Sequence, residues 1–188
     1  MSTLDPNKRL YYLHELSDYK VHHDDYDVRG WELIDGAGRR VGRIDNLLVD
    51  LKAQRVRYLD VEVDDSLVID RKAVYQNPVD GLHSKLNEDG DVHVIVPIGM
   101  AVLDAKDKDV KVSTLAADIF QKVPKHAKGS HLTPEYEYNT VNTLTNNSLT
   151  GNSITAEHNR STLYDTGFYD HSHFDDTKLL GKQQSNLI

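Results

Sequence analysis

Residues Asp35–Asp50 read DGAGRRVGRIDNLLVD. Gly36, Gly38 and Gly42 form G-x-G-x-x-x-G, one residue away from the dinucleotide fingerprint. That fingerprint requires a strand before it and a helix after it, so that the helix N-terminus faces a pyrophosphate. Here the sequence continues differently. Val41, Leu47, Val49 and Leu51 alternate with polar or charged neighbours, which is the period of a strand. No Lys-Ser/Thr pair closes the stretch as in a P-loop. Asp35–Gly38 is therefore read as a hairpin turn, since glycine reaches positive φ at little steric cost. Gly42 is predicted to mark a bulge or bend in the second strand.

Working outward, WELI from Trp31 supplies the first strand of the hairpin. KAQR turns the chain, and VRYLDVEV forms the next strand, with Leu59, Val61 and Val63 on one face. Tyr58, Asp60 and Glu62 share the other face, which ordinary alternation assigns to solvent. SLVIDRKAVY suggests a short strand and QNPVDGLHSKLNEDGD an exposed excursion. VHVIVPIGMAVLD reads as a buried strand, with Pro97 implying a bulge or sheet edge. VKVSTL follows as a strand, and then a helix of one or two turns, capped by Ser113 or Thr114 and ended by Pro124. Near the start, Leu10, Leu13 and Leu16 have helical spacing, and Tyr19, Val21 and Tyr26 can anchor a polar lead-in. Short alternating strands separated by turns predict a mainly β fold, a small β-barrel or rolled sheet.

The 188 residues are 38% hydrophobic and 28% charged, with a net charge of -8 and no cysteine. An acidic surface repels phosphate backbones, so nucleic acid is a disfavoured partner. Without cysteine there is no disulfide framework, thiolate nucleophile or Cys-based zinc site. No apolar run reaches the roughly 18–20 residues of a membrane span, and the N-terminus lacks a signal-peptide core. The expected location is cytoplasmic. Past Tyr138 the chain becomes rich in Asn, Thr and Ser, too poor in apolar surface to offset about 1–2 kcal/mol of backbone ordering per residue. The expected organisation is a lead-in over 1–26, a domain over 27–138, a linker over 139–162 and an aromatic-containing flexible tail over 163–188.

Four elements occur in order within Asp27–Val63: RGW at 29–31, the DGAGRRVG hairpin, the DNLLVD strand and RYLDVEV at 57–63. Together they resemble a PRC-barrel domain, the module of the cytoplasmic part of the photosynthetic reaction-centre H subunit, also found in non-photosynthetic bacterial proteins and in a ribosome maturation factor. VIVPIGMA at 94–101 and VKVSTLAADIFQKVP at 110–124 extend the likeness toward the H-subunit branch, over roughly residues 8–138. The resemblance implies a PRC-type barrel with a short C-terminal helix. In reaction centres this domain carries carboxylates that assist proton uptake. Here Asp50 is kept, but Ala53 stands where an acidic residue is usual. That role is not carried over, nor is a photosynthetic one.

Two histidine clusters contain metal-ligand types: His22, His23, Asp24 and Asp25, and His171, His173, Asp175 and Asp176. Neighbouring residues in coil seldom converge on one ion, so adventitious surface histidines are the expected reading. No nucleophile–base–orienter set and no G-x-S-x-G is legible. Asn146 and Asn159 open N-x-S sequons, without consequence in a chain that is not secreted. No catalytic, cofactor or metal residue is therefore assigned. The resemblance, together with the lack of a catalytic set, leads to the expectation of a soluble, non-enzymatic interaction or assembly module with a protein partner; it permits, without showing, self-association and a bacterial stress or envelope setting. An RNA-processing or ribosome-assembly factor, and a metal-binding protein using the histidine clusters, are the alternatives.

Overall fold

A computed structural model describes residues 8–22, 25–68, 91–146 and 167–180. Eight strands form one sheet: β1 Leu10–Tyr12, β2 Glu32–Asp35, β3 Arg40–Asp50, β4 Arg55–Val63, β5 Val92–Pro97, β6 Val102–Asp104, β7 Asp109–Val112 and β8 His126–Ala127. The order is β6-β7-β2-β3-β4-β5-β8, with β1 also paired to β3. The hairpin is present: β2 and β3 are antiparallel, with Glu32 opposite Arg43 and Leu33 opposite Gly42. The register then shifts, so that Ile34 faces Arg40 and Val41 is the extra residue of a bulge beside Gly42. Gly42 lies against β4, where a Cβ would fall 2.1 Å from the Glu62 carbonyl oxygen. No side chain fits there.

The β6 and β8 ends of this path do not pair with each other among the described residues, so the hydrogen-bonded ladder is open. The closure expected from the sequence is not seen in it. Three local expectations also change. Leu10–Tyr12 pairs with Leu48–Asp50 as a strand, and only Leu13–Glu15 turns, as a 3-10 helix. Tyr26 is half exposed and packs on Trp31 rather than anchoring in the core, whereas Tyr19 and Val21 do reach it. The short helix is a 3-10 turn, Ala117–Gln121, and neither Ser113 nor Thr114 caps it. Its Ala117 N–H donates instead to the Asp35 carboxylate at 2.9 Å, so the hairpin supplies the cap. The possible strand at 66–75 lies outside the described residues beyond Val68, as does the excursion at 76–91 except Asp91.

Both faces of the sheet are covered. One carries the main core, with Leu33, Val41, Ile44, Leu47, Leu59, Val61, Val94 and Phe120. The other is packed by helix α1, Pro134–Asn146, and by residues 168–174, whose Tyr136, Val141, Phe168, Tyr169 and Phe174 meet Leu48, Tyr58 and Ile95. The face of Tyr58 and Asp60, assigned to solvent from the sequence, is thus buried: they are 0% and 1% exposed. The linker boundary moves too. Residues 139–146 belong to α1, with Thr140, Val141, Leu144 and Thr145 buried, and 147–162 lie outside the described residues. Within the tail, residues 167–180 form two 3-10 turns and α2, Thr177–Leu180.

Candidate functional site

Four neighbouring strands bring one row of titratable side chains to the covered face. β3 supplies Asp45, β4 Asp60, β5 His93 and β8 His126. The register of β3 on β4 slips between Ile44 and Asn46, so Asp45 is the extra residue of a bulge beside Asp60. Bulges re-aim side chains in this way. His93 lies opposite His126 across β5 and β8. Asp60, His93 and His126 are all buried, and Asp45 is partly so.

His93 Nδ1 is 3.1 Å from Asp60 Oδ1, and His126 Nε2 is 3.3 Å from the same oxygen. His126 Nδ1 lies 3.0 Å from the Ala127 carbonyl and 3.2 Å from Ser130 Oγ, and its ring meets Tyr136 edge-on. Burial alone would raise the Asp60 pKa, yet His126 and His93 beside it hold it well below the usual carboxylate range. For His93, burial pushes the pKa down, but the Asp60 carboxylate outweighs it and leaves the value raised. Among the described residues, Asp60 Oδ2 and His93 Nε2 are buried without hydrogen-bond partners, whereas His126 Nε2 faces Asp60 Oδ1. Asp45 pairs with Lys128 at 2.8 Å.

A second feature lies farther along β4. A cleft of about 480 Å³ is lined by Arg55, Arg57, Tyr169, His171, Phe174 and neighbouring polar residues. The Arg57 and Arg9 guanidiniums stand 4.5 and 5.0 Å from the Tyr169 ring centroid. Asp50 is fully buried and accepts from Arg9 Nη2 at 2.9 Å and from the Lys52 and Ala53 amides. Arg57 Nε forms an ion pair with Asp50 at 3.7 Å and makes no hydrogen bond among the described residues. Beside the cleft, the buried Glu137 accepts from Tyr58 Oη at 2.8 Å and also from Tyr169 Oη.

The glycine stretch makes no anion cradle. The Gly36 amide donates to the Leu115 carbonyl at 3.2 Å and the Gly38 amide to the Asp35 carbonyl at 3.1 Å. The Asp35 carboxylate takes the Ala37 and Arg39 amides. Among the described residues, neither histidine cluster contributes to a group placed to share an ion. His23 and Asp24 lie outside the described residues. His171 and His173 stack at 6.4 Å, Asp175 accepts from the Thr177 amide at the start of α2, and buried Asp176 lies 3.6 Å from Arg55. Among the described residues, the three side chains placed to share an ion are Asp45, Asp60 and His93. Sequence reasoning missed this row. Its signals were a lone histidine inside VHVIVP and a lone aspartate inside RYLDVEV, polar residues in strands that must find partners when buried.

The family model of the PRC-barrel domain matches residues 20–119. The chain belongs to the PRC-barrel family. The hairpin and strands β2 to β7 lie inside the matched segment, and the likeness to the reaction-centre H subunit is a link at family level. β8, α1 and residues 167–180, which cover the second face, lie beyond it. No curated protein sequence matches the chain. No helix among the described residues is long and apolar enough to cross a membrane.

Proposed function

We propose that this PRC-barrel chain is a non-enzymatic protein-interaction module whose partner docks an acidic group in the arginine-lined cleft. PRC-barrel domains are often protein-interaction modules. One observation carries the choice of surface: two guanidiniums, those of Arg55 and Arg57, line one cleft. A carboxylate suits the planar fork of a guanidinium. Arg55 adds a second positive charge and Tyr169 an aromatic wall, the residue types enriched among binding hot spots. Asp170 and Asp175 also line the cleft, and they select a ligand that carries a donor next to its acidic group. A peptide segment meets both demands.

A cytoplasmic setting, a link to stress or envelope processes, a closed barrel and self-association belong to the same proposal as its finer parts. Affinity capture from native lysate tests it, comparing the wild-type chain with Arg55→Gln at low and high salt. The expected result is a partner retained by the wild type at low salt and lost with the variant. Identical captured sets for both proteins would remove the cleft from consideration. Sedimentation of the purified chain tests self-association separately.

A further inference from the structure

We propose that Asp45, Asp60 and His93 form a binding site for a divalent first-row transition ion of the zinc type. One donor atom from each of the three residues lies within 4.8 Å of the others. That spacing suits an ion whose bonds to nitrogen and oxygen are about 2.0–2.2 Å long. The donors come from three adjacent strands, so the backbone ladder fixes their positions, unlike those of the histidine pair in the tail.

An independent observation points to a missing partner. Asp60 Oδ2 and His93 Nε2 belong to the same three residues, and both are buried with their hydrogen-bonding capacity unused. His126 Nε2 approaches Asp60 Oδ1 from β8 at 3.3 Å and leaves Oδ2 unused. Two orphaned polar atoms in one buried cluster are unusual in a native fold, and an ion or water is the ordinary explanation. The donor types choose the class of ion. Imidazole nitrogen beside carboxylates suits zinc, cobalt, nickel or iron, whereas magnesium and calcium prefer oxygen shells. Two carboxylates balance a double positive charge, so the occupied site is neutral. Lys128 holds Asp45 in the absence of an ion, and its half-exposed side chain is free to swing into water when the ion arrives.

The ion would tie β3, β4 and β5 together beneath α1, through His126 and Tyr136. Its role is structural, and it requires none of the cleft residues of the proposed docking surface. Calorimetric titration of zinc chloride into untagged, chelator-treated full-length protein tests the proposal, with visible absorption of the cobalt form as a second readout. One ion per chain is expected. Asp45→Asn and His93→Gln are expected to weaken it at least tenfold, and His171→Gln with His173→Gln to leave it unchanged. Asp45 is part-exposed at a bulge, so its variant keeps the fold even where a change at buried His93 does not, and far-UV circular dichroism checks this. Lys128→Gln is expected to tighten binding by removing the competing cation. Absence of saturable uptake by the wild type, uptake unaffected by Asp45→Asn, or uptake lost with the tail histidines each overturns the site.

Discussion

Replacing Gly42 by alanine tests the strand crossing on which the fold rests. A Cβ built on the existing backbone falls 2.1 Å from the Glu62 carbonyl oxygen and 3.0 Å from its carbon. Real Cβ contacts stay at or above 3.0 Å, so β3 and β4 must part by about 0.9 Å at this point. The obstacle is backbone, and no rotamer change relieves it. Opening the pairs Gly42–Val63 and Arg43–Glu62 weakens two ladder hydrogen bonds, at about 0.5–1.5 kcal/mol each. Overpacking adds about 1–3 kcal/mol. The expected loss is about 2–6 kcal/mol, a large part of the roughly 5–15 kcal/mol that stabilises a typical domain. Gly38→Ala is the control. Gly38 has φ +80° and nothing within 4 Å of its would-be Cβ, so only the left-handed backbone penalty of about 1–2 kcal/mol applies. Urea unfolding followed by the fluorescence of Trp31, the single tryptophan, measures both. A lower midpoint at unchanged slope is expected for Gly42→Ala. A loss under about 0.5 kcal/mol, or one no larger than that of Gly38→Ala, would refute the close approach.

Phe174 is buried against Tyr58, Phe168 and Tyr169 with ring centroids 4.8–5.4 Å apart, and Phe174→Ala is expected to cost about 3–5 kcal/mol in the same urea assay. A cost under about 1 kcal/mol would mean that residues 168–174 do not cover the sheet. Asp35 titrates in a definite direction. Burial would raise its pKa, but the Arg39 and Ala117 amides, the Arg39 guanidinium and the Ala37 amide leave it lowered. Its stabilising contribution is therefore complete above the unfolded value near about 3.9 and is lost as pH falls through the folded value. Asp35→Asn should be clearly less stable than wild type at pH 7, and urea midpoints of the two should converge on acidification. A gap that stays constant with pH would contradict this.

The hairpin was legible because its chemistry is local: glycines in a turn, then alternation. The inner face was legible for the same reason, since Leu59, Val61 and Val63 all point into the core. The outer face was not. Alternation reports that Tyr58, Asp60 and Glu62 are polar, and it cannot report that polar partners arrive from elsewhere. Asp60 finds His93 and His126 on β5 and β8, and Tyr58 finds Glu137 on α1. The covering helix was hidden by its own composition. Its buried stripe uses Thr140 and Thr145 beside Val141 and Leu144, which reads as polar linker until the sheet beneath it is known. The cap of the 3-10 turn was missed because its acceptor, Asp35, is 82 positions away.

The covered face has a consequence for how the chain is made. A ribosome delivers the hairpin and β4 long before it delivers Phe168, Tyr169 and Phe174. Until those rings emerge, the part of Leu48, Tyr58 and Ile95 that α1 does not cover forms a sticky apolar surface on the nascent sheet. Stop-codon products that end before Gly167 carry that surface permanently, and are natural clients for chaperones and proteases.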